Sequence, residues 1–250
     1  MMKRTLVPAL VLAVGAATPA ISMAGVTGNI GYVSDYVFRG IYQTDSSAFA
    51  GVDYASDSGF YAGTWWADVG AGTETDLYFG YNGGSDSVKY KIGYTGYRYL
   101  DDFDGDYDEI NLGLYAGIFA LDIAVGQYDG DKFHLGDPVS GGNQDYVFTS
   151  VTLSPKKGPY YKLGMWSGDY NDHILPNIKT DDPRTAAIED GDGIYLELGY
   201  AYTMEEQGVV LSVALDYSPD LTVSPFLNAS AEAPNYELTF GIKKNFEPKK

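Results

Sequence analysis

The stretch that decides the fold is Tyr236–Phe246, which reads YELTFGIKKNF. Side chains alternate between the two faces of an extended strand, so one face of this segment is apolar and the other is polar or small. The apolar face consists of Tyr236, Leu238, Phe240, Ile242 and Phe246. A terminal amphipathic strand that ends in an aromatic residue, behind a secretory leader, is typical of an outer-membrane β-barrel. In lipid every backbone polar group needs an internal partner, and a closed barrel supplies one without exposing an edge.

The first 24 residues have the pattern of a secretory signal peptide. Lys3 and Arg4 form a positive start, an apolar run follows from Leu6 to Ala17, and Ser22-Met23-Ala24 offers small residues for cleavage after Ala24. The run is short for a spanning helix, which needs about 20 residues. No later stretch is long and apolar enough for such a helix either. We therefore expect a signal peptide at 1–24 and an outer-membrane barrel domain at 25–250.

Composition narrows the classes of function. The chain has no cysteine, which excludes disulfides and cysteine-based catalysis or metal sites. Its formal net charge of −18 argues against nucleic acid as a partner and suits an exported surface that attracts cations. The 23 tyrosines and 31 glycines favour strands with crowded interior faces. A soluble β-protein with a glycine-rich core is the alternative.

Twelve segments alternate apolar and polar residues and are predicted to be strands. They are 27–39, 47–56, 59–67, 73–82, 86–98, 107–117, 119–128, 144–153, 159–168, 192–203, 208–218 and 235–246. The fold class predicted is therefore all-β: a single transmembrane antiparallel up-and-down barrel.

The lengths of the connections support the same architecture, because outer-membrane barrels have short periplasmic turns and longer external loops. Every second connection between the predicted strands is tight, and three of the others are long and polar. The long ones are 129–143, 169–191 and 219–234. This alternation predicts that both termini are periplasmic. A soluble β-sandwich would mix loop lengths less regularly.

The face predicted to contact lipid carries almost no charge, as the cost of charge at mid-membrane requires. Lys244 is an exception, beside the periplasmic end, where a long side chain can reach water. Aromatic residues near strand ends are predicted to form the interfacial girdles. They include Tyr36, Phe38, Tyr97, Tyr99, Trp166, Tyr200 and Phe246.

Three segments carry motifs of a known family. Residues 34–41 read SDYVFRGI and are followed by Gln43-Thr44-Asp45, residues 59–65 read GFYAGTW, and residues 74–81 read ETDLYFGY. These segments resemble the opening motif and the next two hairpin strands of the TorF family of porins. The resemblance is specific over 25–117 and diffuse from 118 onward. It implies an outer-membrane location and a pore function, and it supplies neither a substrate nor catalytic residues.

Charged residues on the inward faces of the strands are the candidate site. Asp35 and Arg39 share the inward parity of the first strand and could form a constriction that filters solutes by charge. The alternative is a structural ion pair or hydrogen-bond network that plugs the lumen. The full set of predicted lumen-lining residues is Asp35, Arg39, Asp53, Glu74, Asp76, Lys89, Lys91, Glu109, Asp122, Lys162, Glu197, Asp216, Glu237 and Lys243.

The balance of these charges predicts a preference for cations. Nine of the residues are acids and five are bases, so the lumen is predicted to be mildly negative. Barrels of about 8 strands are filled by side chains and those of about 16 leave an open channel, so twelve strands predict a narrow bore. Inward tyrosines could close it in part.

An acidic run at 102–109 is the one candidate metal site. Asp102, Asp104, Asp106 and Asp108 alternate around a glycine and resemble the front half of a calcium loop. The flanking helices are missing and the glycine comes too early, so an external solvated loop is the alternative. No other cofactor is predicted.

Catalysis has little support in the sequence. The two histidines, His134 and His173, fall in predicted loops, and no serine lies in a nucleophile motif. The sequence therefore predicts a non-enzymatic porin-like channel for small hydrophilic solutes or ions, in contact with outer-membrane lipid and lipopolysaccharide. The alternative is a non-conducting barrel whose acidic loops bind cations or a partner. A hydrolase that uses Asp172 and His173 is the third reading.

Overall fold

The computed structural model describes residues 25–70, 72–100, 105–129, 143–155, 158–168, 193–218 and 236–247. Within them lie twelve strands. They are β1 Gly25–Phe38, β2 Ile41–Ala55, β3 Phe60–Asp68, β4 Thr73–Gly84, β5 Val88–Leu100, β6 Asp106–Ala116, β7 Phe119–Asp129, β8 Asn143–Leu153, β9 Tyr160–Gly168, β10 Gly193–Met204, β11 Val209–Tyr217 and β12 Tyr236–Phe246. No helix in these ranges is long and apolar enough to cross a membrane.

The strands form one closed barrel in which each strand pairs antiparallel with the next. Closure comes from β12, which pairs with β11 along its length and with β1 from Gly28↔Phe246 to Val33↔Gly241. Tyr236–Phe246 is thus the strand that removes both free edges. The predicted twelve-stranded up-and-down barrel is confirmed.

The predicted strand bounds agree with the structure within two residues, with one exception. Residues 40–46 were predicted as a connection, whereas β2 begins at Ile41. Arg39 and Gly40 alone make the turn, with φ angles of 51° and 82°. Positive φ at both central residues is the geometry of the type I′ hairpin, whose twist matches that of the flanking strands. The prediction was wrong here because arginine rarely adopts positive φ.

The outer face of the barrel is apolar. Leu77, Phe79 and Phe240 are each more than half exposed, and they belong to a band that continues on every strand. An exposed apolar surface of this extent marks contact with a membrane or a partner rather than with water. Lys244 lies at the edge of the band, where its Nζ donates a hydrogen bond to the carbonyl oxygen of Gln207 in the turn after β10.

Several aromatic residues predicted as girdles lie inside the barrel instead. Tyr36, Tyr97 and Trp166 are at most 4% exposed, and Phe38 and Tyr99 pack against the same interior clusters. The prediction was wrong for these five, because position near a strand end does not decide which face a ring occupies. Tyr200 and Phe246 are exposed on the outer face, as a girdle requires.

Candidate functional site in the barrel interior

The first hairpin leaves the barrel wall before it turns. Among the described pairings, β1 contacts β12 as far as Val33, and β2 contacts β3 from Phe49 onward. Between these points the two strands pair with each other, with a shift of register between Tyr36 and Val37. We call residues 34–48 the hairpin tip. Strand pairing with the neighbours ends at the base of the tip, where Ser34 accepts a hydrogen bond from the Phe240 amide and Ser47 donates one to the Asp68 backbone oxygen. Beyond this base the tip is free to fold inward.

The tip crosses the interior to the far side of the barrel. The indole Nε1 of Trp166, on β9, donates a hydrogen bond to the backbone oxygen of Arg39 over 3.0 Å. The hydroxyl of Ser218, just after β11, donates to the backbone oxygen of Gly40 over 2.8 Å. Ile41 packs in a buried cluster with Tyr97 of β5 and aromatic residues of β6 to β10. The tip thus contacts wall strands on both sides of the lumen.

An ion pair fixes the end of the tip. The guanidinium of Arg39 donates two hydrogen bonds to the carboxylate of Glu109 on β6, at 2.5 and 3.0 Å. The side chains are 8% and 0% exposed. The hydroxyls of Tyr146 and Tyr97 donate to the same carboxylate over 2.8 and 3.1 Å. Four donors therefore satisfy a buried charge that would be costly if it were left alone.

Aromatic rings surround the guanidinium on its other sides. Its carbon lies 4.4 Å from the ring centre of Phe148, 4.8 Å from that of Phe38 and 5.5 Å from that of Trp166. The face of an aromatic ring attracts a cation at these distances. Arg39 thus sits in an aromatic cage with a carboxylate at its base.

The expected pairing of Arg39 with Asp35 is not found. Asp35 accepts a hydrogen bond from Ser34 over 2.6 Å and lies opposite Asp45 in the hairpin. Four residues of extended chain span about 13 Å, so the turn carries Arg39 well away from Asp35. Glu109, from a strand distant in sequence, takes the place of the partner.

Tyrosine hydroxyls hold several of the interior acids. Tyr36 donates to Glu74 over 2.8 Å, across 38 residues of sequence. The same pairing recurs for other predicted site residues. Tyr78 donates to Asp53 and Tyr115 to Asp122, both over 2.6 Å, and Tyr160 donates to Glu197. These tyrosines are the functional partners that the sequence reading missed.

A glycine on the neighbouring strand makes room for several interior tyrosine rings. A Cβ added at Gly126 would clash with the ring of Tyr146, and one added at Gly199 would clash with that of Tyr160. An inward tyrosine beside an inward glycine is therefore a sequence signal for these rings, once the strand register is known.

A row of charged residues follows neighbouring strands around the wall. Lys162, Glu197, Asp216 and Glu237 are successive cross-strand partners on β9 to β12. The Nζ of Lys162 lies 3.4 Å from the carboxylate of Glu197. Asp216 is 6% exposed and Glu237 is partly exposed. Asp76, on β4, is 2% exposed, and one of its oxygens is without a hydrogen-bond partner among the described residues.

The charges are unevenly distributed along the barrel axis. Glu74 and Asp76 lie near the start of β4, toward the end of the barrel that carries the β3–β4 turn. Lys89 and Lys91 lie near the start of β5, toward the end of the barrel at which β1 begins and β12 ends, here called the terminal end, and Lys243 lies near the end of β12. The end opposite the termini is therefore richer in acids and the terminal end richer in bases.

The acidic run offers less for calcium than its sequence suggests. Asp102 and Asp104 lie outside the described residues. Asp106 and Asp108 both contact the guanidinium of Arg98, at 3.5 and 2.6 Å. An arginine therefore occupies the described half of the predicted site. Across the described ranges, no cluster of three or more acidic, histidine or cysteine side chains could hold a metal ion.

The residues of the hydrolase reading are not placed. Asp172, His134 and His173 lie outside the described part of the chain.

Solved structures share this fold at low sequence identity. The KdgM porin aligns with a TM-score of 0.52 and 6% identity, over 89% of this chain and 99% of the porin. A second structure, of the KdgM porin in complex with disordered oligogalacturonate, aligns equally well over 88% of this chain and 99% of that one. The NanC porin aligns with a TM-score of 0.52 and 12% identity, over 90% and 100%. These proteins are channels rather than enzymes, and their likeness supports an outer-membrane barrel fold.

A search of the curated proteins found no match. One family model, described as "Bacterial protein of unknown function (Gcw_chp)", matches residues 16–165. This match covers more than half of the chain and includes the SDYVFRGI motif that builds much of the hairpin tip. The TorF assignment stays a prediction, because the matching model has a different description. The chain belongs to the Gcw_chp family of bacterial proteins.

Proposed function

We propose that this protein is a porin-like channel of the outer membrane, in contact with lipid and lipopolysaccharide, and that the hairpin tip closes its lumen at rest. Small hydrophilic solutes or ions pass by diffusion when the tip is displaced. The observation that carries the proposal is that residues of the hairpin tip form part of the packing that closes the lumen. Residues of a hairpin that has left the wall pack among aromatic side chains of the wall, so displacement of the tip would remove part of the barrier without a change in the strand pairing of the wall.

The polar interior supports passage of hydrophilic solutes. Asp53, Asp122, Lys91 and Lys243 lie on the face opposite the apolar band, toward the terminal end. Charged side chains there suit contact with water and ions. The tip contacts lie nearer the other end, around Arg39 and Trp166.

We also propose a mild preference for cations. The acids outnumber the bases on the inward faces, and the excess lies toward the end opposite the termini, which we take as external. A negative mouth with low-dielectric walls raises the local concentration of cations. The ion pair of Arg39 with Glu109 removes one charge of each sign and leaves this excess unchanged.

A second candidate is a non-conducting barrel. The same tip favours it, because two charge-assisted hydrogen bonds from Arg39 to the buried carboxylate of Glu109 hold the tip in the lumen. Such a barrel would serve as a membrane scaffold or bind a partner through its acidic loops.

Recordings from the purified protein in planar bilayers separate the two candidates. We expect brief openings of the channel. Across a potassium chloride gradient, the sign of the reversal potential should indicate that potassium passes more readily than chloride. Anion preference would contradict the proposed charge filter. A bilayer that stays silent with wild-type protein and with every variant of the tip would favour the non-conducting barrel.

A further inference from the structure

The cage around Arg39 is made of two separable parts. The wall supplies Glu109 from β6, Phe148 from β8 and Trp166 from β9, while Arg39 and Phe38 belong to the tip. The wall part is therefore a receptor, and the guanidinium is its occupant. The occupant reaches the site at the end of a hairpin that is otherwise held there by side-chain contacts rather than by strand pairing with the wall.

The receptor has the geometry of a guanidinium site. A guanidinium is a planar fork, and here two of its nitrogens meet the two oxygens of Glu109 at 2.5 and 3.0 Å. The rings of Phe148 and Trp166 lie 4.4 and 5.5 Å from its central carbon. A compact ammonium has no fork and would make poorer use of both carboxylate oxygens.

The backbone of Arg39 adopts the positive φ that the type I′ turn requires, and contacts of the site fix it there. Arg39 has φ of 51°, a region that non-glycine residues rarely adopt. Backbone strain of this kind persists where the surrounding contacts fix it. Here the contacts are the ion pair and the hydrogen bond from Trp166 to the Arg39 oxygen.

We propose that Glu109, Phe148 and Trp166 form a binding site for guanidinium-bearing solutes, and that Arg39 is its tethered ligand in the closed barrel. The site gives the proposed channel a class of solute, and in that respect it rests on the proposed function. A solute with a guanidinium group and the tip compete for one place. The presence of the solute would therefore favour displacement of the tip.

Substitution of Arg39 by alanine separates receptor from ligand. In R39A the carboxylate of Glu109 loses its cation, and free methylguanidinium can fill the vacated space. The folded barrel is followed by the temperature at which the detergent-solubilised protein loses its compact mobility on a gel. We expect methylguanidinium chloride to raise that temperature in R39A, with an apparent affinity about tenfold above that of methylammonium chloride at equal ionic strength.

Two controls fix the location of the effect. R98A removes another arginine, one that pairs with Asp108 at the barrel rim and is 37% exposed. R98A and the wild type should distinguish the two cations far less than R39A does, because the Arg39 side chain competes for the site in both. The double variant R39A/E109Q should lose the response, because the carboxylate is gone. A response of R39A that is equal for both cations, or that survives E109Q, would overturn the proposal.

The proposal can also be tested if the R39A variant does not fold. If R39A fails to fold from urea into detergent, methylguanidinium should restore the folded band and methylammonium should not, and failure of both would overturn the proposal. The assay needs no conductance. If methylguanidinium binds to a barrel that never conducts, the binding site is upheld and the proposed channel is contradicted. If the barrel conducts but does not bind methylguanidinium, the channel is upheld and the binding site is contradicted.

Discussion

The indole Nε1 of Trp166 donates a hydrogen bond to the backbone oxygen of Arg39 over 3.0 Å, and the two residues are 127 positions apart in the chain. Trp166 lies on β9 and Arg39 lies in the turn between β1 and β2. The bond joins the tip of the first hairpin to a strand four places away around the barrel. It shows that the tip lies across the lumen rather than along the wall.

Replacement of Trp166 by phenylalanine removes this hydrogen bond and keeps an aromatic ring at the position. Loss of one hydrogen bond costs about 1 kcal/mol, which would raise the open fraction of the channel roughly fivefold. Single-channel recording measures that fraction. Trp66→Phe is the matched control, because Trp66 is 37% exposed on the outer face. Equal open fractions for the two variants would show that Trp166 does not hold the tip.

Substitution of Glu109 by glutamine leaves Arg39 buried without a counter-charge. Breaking a buried ion pair from one side typically costs about 3–5 kcal/mol. We expect the free energy of unfolding of the detergent-solubilised barrel in urea to fall by an amount of that order, which lowers the midpoint. Glu237→Gln makes the same chemical change at a partly exposed position and should have little effect. Similar midpoints for both variants would contradict a stabilising role for the ion pair.

The proposed charge filter predicts opposite shifts of the reversal potential when acidic residues are neutralised and when Arg39 is neutralised. Neutralisation of Asp35 together with Asp76 should move the reversal potential toward zero, because it removes negative charge from the acidic end of the lumen. Neutralisation of Arg39 should move it further toward cation preference. The measurement is the reversal potential across a salt gradient at physiological ionic strength, where the Debye length is about 8 Å. Shifts in the same direction would exclude a filter based on these charges.

The closing strand makes a prediction about assembly. Deletion of 236–250 removes β12 and leaves β1 and β11 with unpaired edges, which lipid does not tolerate. The truncated chain should be absent from outer membranes as a folded, heat-modifiable species. Deletion of 247–250 alone keeps β12 and is the control. A folded barrel from the longer deletion would show that β12 is dispensable.

The sequence predicts the wall of the barrel well, because the wall obeys a simple rule. Each strand has lipid on one face and the interior on the other, so side chains alternate with period two, as Tyr236–Phe246 shows. The same parity places Glu109 and Lys162 on the inward face from the sequence alone. Period and parity therefore account for the fold and the strand bounds, and they predict which charged residues face inward.

The alternation rule does not predict which interior side chains contact each other, because these contacts depend on which strands face each other across the lumen. Nothing local to Arg39 indicates Glu109, which lies 70 residues later, as its partner. The sequence does not predict the turn at Arg39 and Gly40, because arginine disfavours positive φ. It does not predict that the tip folds inward, because the aromatic residues of the tip lie near a strand end, as girdle residues do. A residue whose local preference is overruled, such as Arg39, lies at the centre of the candidate site.

Shortening of the first hairpin tests most directly whether the tip closes a channel. Asp35 and Asp45 are partners across the hairpin, so an Asn-Gly turn in place of residues 36–44 preserves the register and removes the tip from the lumen. Planar-bilayer recording should show a wild-type protein that is closed most of the time and a shortened protein with a steady, cation-preferring current. A wild-type current equal to that of the shortened protein would contradict closure by the tip, and silence from both would contradict the channel itself.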